Sequence, residues 1–220
     1  MFPSRTLFRA LLLANCFALS CAATAADDAG VPAGQYRLDR AHASLLFRVN
    51  HMGFSMFTAR FTRFDATLLF DPAHPGESKL EATVDTTSLQ TDYPKPEIVD
   101  FNALLQNNQW LDTQKWPEMK YRASRVDVTG PNEGVVRGEL TLRGVTKPVP
   151  LTVRFNGGYP GMEMDPNARV GFSAHGELNR SDFGMDYGIP APGSRMGVSD
   201  RVEIIIEAEF VGPAFKPDHR

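Results

Sequence analysis

Five histidines are the side chains of this sequence best suited to chemistry: His42, His51, His74, His175 and His219. Imidazole both ligates transition metals and exchanges protons near neutral pH. Their spacing supports neither use. No His-x-His or His-Glu-x-x-His pair is present, His42 and His51 differ in strand parity, His74 lies in a Pro-rich turn and His219 in the C-terminal tail. No metal site and no resident cofactor are therefore expected. His51 follows Leu45, Phe47 and Val49 on one strand face, which would place it where an apolar interior meets a polar ligand head; the competing reading is a satisfied core histidine. Arg180 and Asp182 in "NRSDFGM" would pair and brace a loop. The "DFG" there lacks the Gly-rich loop and His-Arg-Asp of a kinase, and no Gly-x-Ser-x-Gly elbow, Cys–His pairing or paired carboxylates appear.

The elements that would carry these residues are strands. Apolar residues recur at every second position in segment after segment: Phe64, Ala66, Leu68 and Phe70; Leu80, Ala82 and Val84; Met119 and Tyr121; Leu140 and Leu142; Val149, Leu151, Val153 and Phe155; Phe172, Ala174 and Leu178; Val202, Ile204, Ile206 and Ala208. Such alternation marks strands with one buried face, and about eight are counted. "DPAHPGES", "VTGPNEG" and "NGGYPGMEMDPN" separate them with turn-forming residues. In "GELTLRGVTKPVPLTVRF" Gly144 is placed to turn a short hairpin, and Pro148 and Pro150 put the start of its second strand at an edge or bulge. One segment has helical spacing: Phe101, Leu104, Leu105 and Trp110, with Asp100 as N-cap and Pro117 as the stop.

Arg5 and Arg9 precede the apolar run from Ala10 to Ala23, and small residues follow at Ala23 and Ala25, the layout of a secretory signal peptide over residues 1–25. The run is shorter than the roughly 20 residues of a membrane span. Cys21 raises a lipoprotein alternative, but Ala18-Leu19-Ser20 before it does not begin with Leu. Both cysteines, Cys16 and Cys21, fall in this leader, so the chain from Ala26 offers no thiol chemistry. Removing Arg5 and Arg9 leaves 21 basic against 26 acidic residues, with no basic run, which speaks against nucleic acid as a partner. Residues 26–35 read as a linker, 36–212 as one domain and 213–220 as a polar tail.

Several stretches together resemble the YceI family of periplasmic, lipocalin-like polyisoprenoid-binding proteins. "YRLDRAHASLLFRVNHMGFS" is similar to the family's Leu-Asp-x-x-His opening and the strand that follows. "FDATLLFD", "TTSLQT", "NNQWLDTQKWPEMKYRAS", "GELTLRGVTKPVPLTVRFN", "VGFSAHGELNRSDFGM" and "VSDRVEIIIEAEF" match later parts in order. Ala59 and Ala66 stand where members often carry Gly, and no Arg precedes Asp100. The resemblance implies an all-β fold: an extended eight-stranded antiparallel lipocalin-like barrel with a short helix inserted between strands. It implies a periplasmic or secreted protein, not an enzyme, that holds a polyisoprenoid, a quinone or a fatty-acid-like lipid for transport, storage or sequestration. The lining residues expected are Leu45, Phe47, Val49, His51, Phe64, Leu68, Phe70, Leu142, Leu151, Val153, Phe155, Phe172 and Phe183. The fifteen Phe residues favour aromatics for this role. A homodimer and transient membrane contact are left open. The alternatives are an isomerase or hydrolase working through His51 or Asp182, and a barrel that docks a protein through the segment from Phe101 to Trp110.

Overall fold

The computed structural model describes residues 30–215; the expected signal peptide, the first four residues of the expected linker and the end of the tail lie outside them. The strands are β1 (Gly34–His51), β2 (Ser55–Phe61), β3 (Phe64–Phe70), β4 (Lys79–Asp85), β5 (Leu89–Gln90), β6 (Glu118–Gly130), β7 (Glu133–Leu142), β8 (Val145–Pro148), β9 (Leu151–Tyr159), β10 (Asn167–Asn179) and β11 (Val198–Ala214), with one α-helix, α1 (Phe101–Gln106). Every pairing is antiparallel, and β11 pairs with β1 to close the sheet on itself.

Eleven segments make eight staves. β2 pairs with β1 over Leu45–His51 and β3 pairs with β1 over Gly34–Arg37, both in the same sense, so they are two halves of one interrupted strand. β4 and β5 lie likewise along β3 and β2, and β8 and β9 along β7. The result is the closed eight-stranded barrel expected from alternation and resemblance, which leaves no long open edge.

The interruptions have local causes. Asp85 accepts a hydrogen bond from the Thr87 amide at 2.8 Å and starts a 3₁₀ turn over Thr86–Ser88, while the Ser88 hydroxyl accepts from the Arg63 amide at 3.0 Å. Pro150 has no amide to give a ladder, and the break between β8 and β9 falls there, as the two prolines led one to expect. The β7–β8 hairpin turns on Arg143 and Gly144, both with positive φ (51° and 74°), the two-residue turn that suits strand twist.

The helix starts where expected and stops early. Asp100 accepts from the Ala103 amide at 2.9 Å as N-cap. It ends at Gln106, not at Pro117, because Asn107 turns the chain: its side-chain oxygen accepts from the Gln109 amide at 2.8 Å and its carbonyl from the Asp112 amide at 2.8 Å. Trp110 therefore lies beyond the helix.

Inward residues form two clusters. One gathers Phe61, Val84, Leu89, Leu140, Leu142 and Leu151 beneath the helix; the other gathers Tyr36, Leu68, Phe70, Val170 and Phe210 at the end where the chain enters and leaves the barrel.

Candidate functional site

Inside the first of these clusters the barrel is hollow. A cavity of about 700 Å³ runs from a mouth near His51, Ser55, Tyr93 and Val198 down to Leu38, Ala66, Leu80 and Phe210. The inward positions of β1 (Leu45, Phe47, Val49), β4 (Leu80, Ala82, Val84) and β11 (Val202, Ile204, Ile206, Ala208) line it, because alternation sends every second side chain to the axis. Phe101, Leu104 and Leu105 of α1 roof one side.

Polar groups along the wall are occupied. The Tyr121 hydroxyl donates to the Val149 carbonyl at 3.0 Å, and burial pushes its pKa up. Asp65 accepts from the Ala66 amide and pairs with Arg40 on the exposed side. Arg180, 2% exposed, donates to four backbone carbonyls: Ser199 at 3.0 Å, Met185 at 2.6 Å, Tyr187 at 2.9 Å and Val198 at 2.9 Å. Its guanidinium also lies 5.0 Å from the centre of the Trp110 ring. Burial lowers its pKa, partly offset by Asp200 and Asp186, yet it stays a cation bonded along its edge. It thus braces the loop between Met185 and Val198, as expected of a loop clamp, but through carbonyls. The expected partner Asp182 makes no ion pair with it; Asp200, which accepts from the Ser181 amide and hydroxyl, anchors the turn instead.

The expected lining residues divide. Leu45, Phe47, Val49, His51, Phe64, Leu142 and Leu151 face the cavity. Leu68, Phe70, Phe155 and Phe172 do not; they pack into the cluster that closes its far end. Val153 is part of neither lining nor plug, and Phe183 is buried in the 3₁₀ turn Arg180–Phe183, outside the bore. Residues not named beforehand complete the wall, among them Phe57 and Phe61, whose alternation in "MFTARF" carried the signal, and Leu89, which lies in a two-residue strand with none. His51 is exposed at the mouth, and its imidazole takes no hydrogen bond among the described residues.

A family model described as a YceI-like domain matches residues 36–210. The chain belongs to that family. A UPF0312 protein of Pseudomonas putida strain W619 is 33% identical over 203 residues, 91% of this chain and 98% of the relative, and Protein YceI of Escherichia coli O157:H7 is 33% identical over 183 residues, 81% and 87%. Among solved structures, Burkholderia cenocepacia BcnA superposes with a TM-score of 0.65 at 22% identity, covering 78% of this chain and 98% of BcnA. A polyisoprenoid binding domain from Saccharophagus degradans superposes with a TM-score of 0.56 at 13% identity, covering 83% and 100%.

The YceI-like opening motif has a structural part in this chain. Leu38 lines the cavity, while Asp39 and His42 sit outside, on the irregular stretch of β1 between Leu38 and Ala43. Asp39 accepts from Arg169 at 2.7 Å, His42 Nδ1 at 3.0 Å and the Ala41 amide at 3.0 Å. These bonds hold its pKa down at about 2, and the Asp39 hydrogen bond raises that of His42. Asp39, His42 and Glu209 have ligand atoms within 4.8 Å of one another, but Arg169 shares the cluster and already supplies the positive charge. The motif fastens β1 to β10.

Proposed function

We propose that this protein is a periplasmic or secreted holder of a lipid with one long apolar chain, an isoprenoid or quinone-type molecule, which it carries or stores without altering it. The observation that carries this reading is the deep cavity with an apolar wall and its polar side chains either bonded within the protein or gathered at the mouth. A flexible chain entering such a space loses only its contacts with other lipid tails and gains those of Phe, Leu and Ile. Burial from water would contribute about 0.8 kcal/mol per methylene. From a membrane, where the tail is already dry, transfer is close to neutral, which is the balance that loading and release require.

The mouth is suited to such transfer. Phe54, beside the lining residue Ser55, is 82% exposed and Met196, two residues before Val198, is 70% exposed; Tyr93 and Leu104 line the cavity and also reach solvent. Transient contact of this rim with a membrane surface would let a tail pass without meeting water.

Organic extraction of protein purified gently from a lipid-containing host, followed by mass spectrometry, is expected to return one dominant lipid with a long apolar chain. Repeated recovery of empty protein would sink the reading. The enzymatic alternative rests on His51, since Asp182 does not line the cavity. His51→Ala is expected to change affinity for the extracted lipid by less than tenfold; conversion of that lipid by the wild-type protein, abolished in this variant, would favour the enzyme.

A further inference from the structure

The cavity does not end at the same depth on all sides. Along β11 the lining continues through Ala208 to Phe210, but along β9 and β10 it stops at Leu151 and Leu178. Beyond them the small Gly176 and Ala174 add no lining, and Phe155 and Phe172 fill the layer that follows. Phe172 stands opposite Ala208 on β11 and opposite Phe155 on β9, so the three occupy one layer of the barrel. Small Ala208 leaves that layer open on its side, and the two rings fill it from the other.

Phe172 is the hub of this layer. Its ring centre lies 5.4 Å from that of Phe155, 5.7 Å from Phe70 and 6.1 Å from Phe210, and the last two contacts are edge-to-face. Phe70 in turn meets Tyr36 at 6.2 Å, and the Tyr36 hydroxyl is tied to the Pro32 carbonyl at 2.6 Å. Rings held in this way cannot swing aside singly, because interiors are close-packed and each ring is fixed by its neighbours.

We propose that this aromatic layer, with Phe172 as its deciding residue, is a length stop: it sets how long an apolar chain the bore accepts tail-first. The inference rests on the lipid-holding reading and deepens it. The depth of the bore sets the limit. Val198 at the mouth and Phe210 at the floor are twelve residues apart on β11; at about 3.3 Å per residue and a tilt of about 40°, they are separated by roughly 30 Å along the barrel. An isoprene unit contributes four chain carbons, about 5 Å extended at ~1.5 Å per bond, so about six units reach the floor.

The test measures binding of prenols of three, six, eight and ten isoprene units by native mass spectrometry and competitive displacement. For the wild-type protein, affinity is expected to rise to six units and to fall at least tenfold by ten. Phe172→Ala should move the optimum up by one or two units while binding of the three-unit prenol stays within twofold, and Phe172→Leu should move it less in the same direction. Equal binding of six- and ten-unit prenols by the wild-type protein overturns the stop whether or not the variants fold. A profile unmoved in folded variants overturns it as well. Failure to bind any prenol overturns the lipid-holding reading itself, a result distinct from either.

Discussion

At the Phe172 end of the barrel, neighbouring aromatic rings stand 5.4–6.2 Å apart in an unbroken chain from Tyr36 to Phe210. At the His51 end the rings meet only in separate short groups, Phe47 with Phe61 at 5.7 Å and Phe57 with Phe101 at 5.6 Å, and leave about 700 Å³ open. Both regions are made by the same alternation on the same staves. What separates them is which layer receives large rings from adjoining strands: Phe70, Phe155 and Phe172 converge at one level, whereas Leu45, Ile204 and Ile206 at another are too short to meet across the axis.

The sharpest way to break that comparison is to truncate one residue at each end. Phe210→Ala, in the plug, is expected to cost about 3–5 kcal/mol, while Ile204→Ala, whose side chain already faces open space, should cost about 1–2 kcal/mol. Urea unfolding of the two variants checks this, and equal losses would mean that the hollow end is no less packed than the other. Next in size is the clamp at the mouth. Arg180→Met leaves four carbonyls without their donor and should cost about 2–4 kcal/mol, with hydrogen exchange accelerated over the loop between Met185 and Val198 and the plug amides little changed. Asp100→Ala, removing the cap of the roofing helix, is expected to cost about 1 kcal/mol, seen as a small drop in the urea midpoint.

The smallest effect is set by pH. The Asp39 carboxyl is depressed in the folded protein to about 2, so its contribution is present above its unfolded pKa near ~4 and is lost as pH falls toward 2. His42 is raised, so its contribution is complete below about 6.5 and is lost as pH rises through its folded value. Asp39→Asn should therefore flatten the acid side of the stability profile, read as urea midpoint against pH, and leave the shape of the cavity unaltered.

Much of this architecture was legible in residue order. Period-two alternation gave the strands and their inward faces, Gly144 gave the hairpin, and Asp100 gave the start of the helix. The count of eight held for the staves because the breaks at Thr62–Arg63, Thr86–Ser88 and Val149–Pro150 interrupt strands without redirecting them. The cavity wall was harder to read. Alternation says that Phe172 and Ile204 both point inward, but it cannot say which layer each occupies, since depth depends on stagger between strands. Choosing aromatics for the lining misplaced Phe70, Phe155 and Phe172, because rings that can reach one another stack and fill space. Aliphatic Leu80, Ile204 and Ile206, identified as inward but not chosen, share the wall with Phe47 and Phe64, which were. Arg180 was legible as a brace but not its partners, for backbone carbonyls leave no trace in side-chain sequence.

The pairing of β1 with β11 brings the two ends of the described chain together: Gly34 lies against Pro213, and the Phe215 amide donates to the Pro166 carbonyl, all at the solid end. A chemical handle attached at Phe215 would sit at the base and leave the aperture facing outward. Copies immobilised on a support through that position would therefore present their openings to the surrounding liquid in a common orientation.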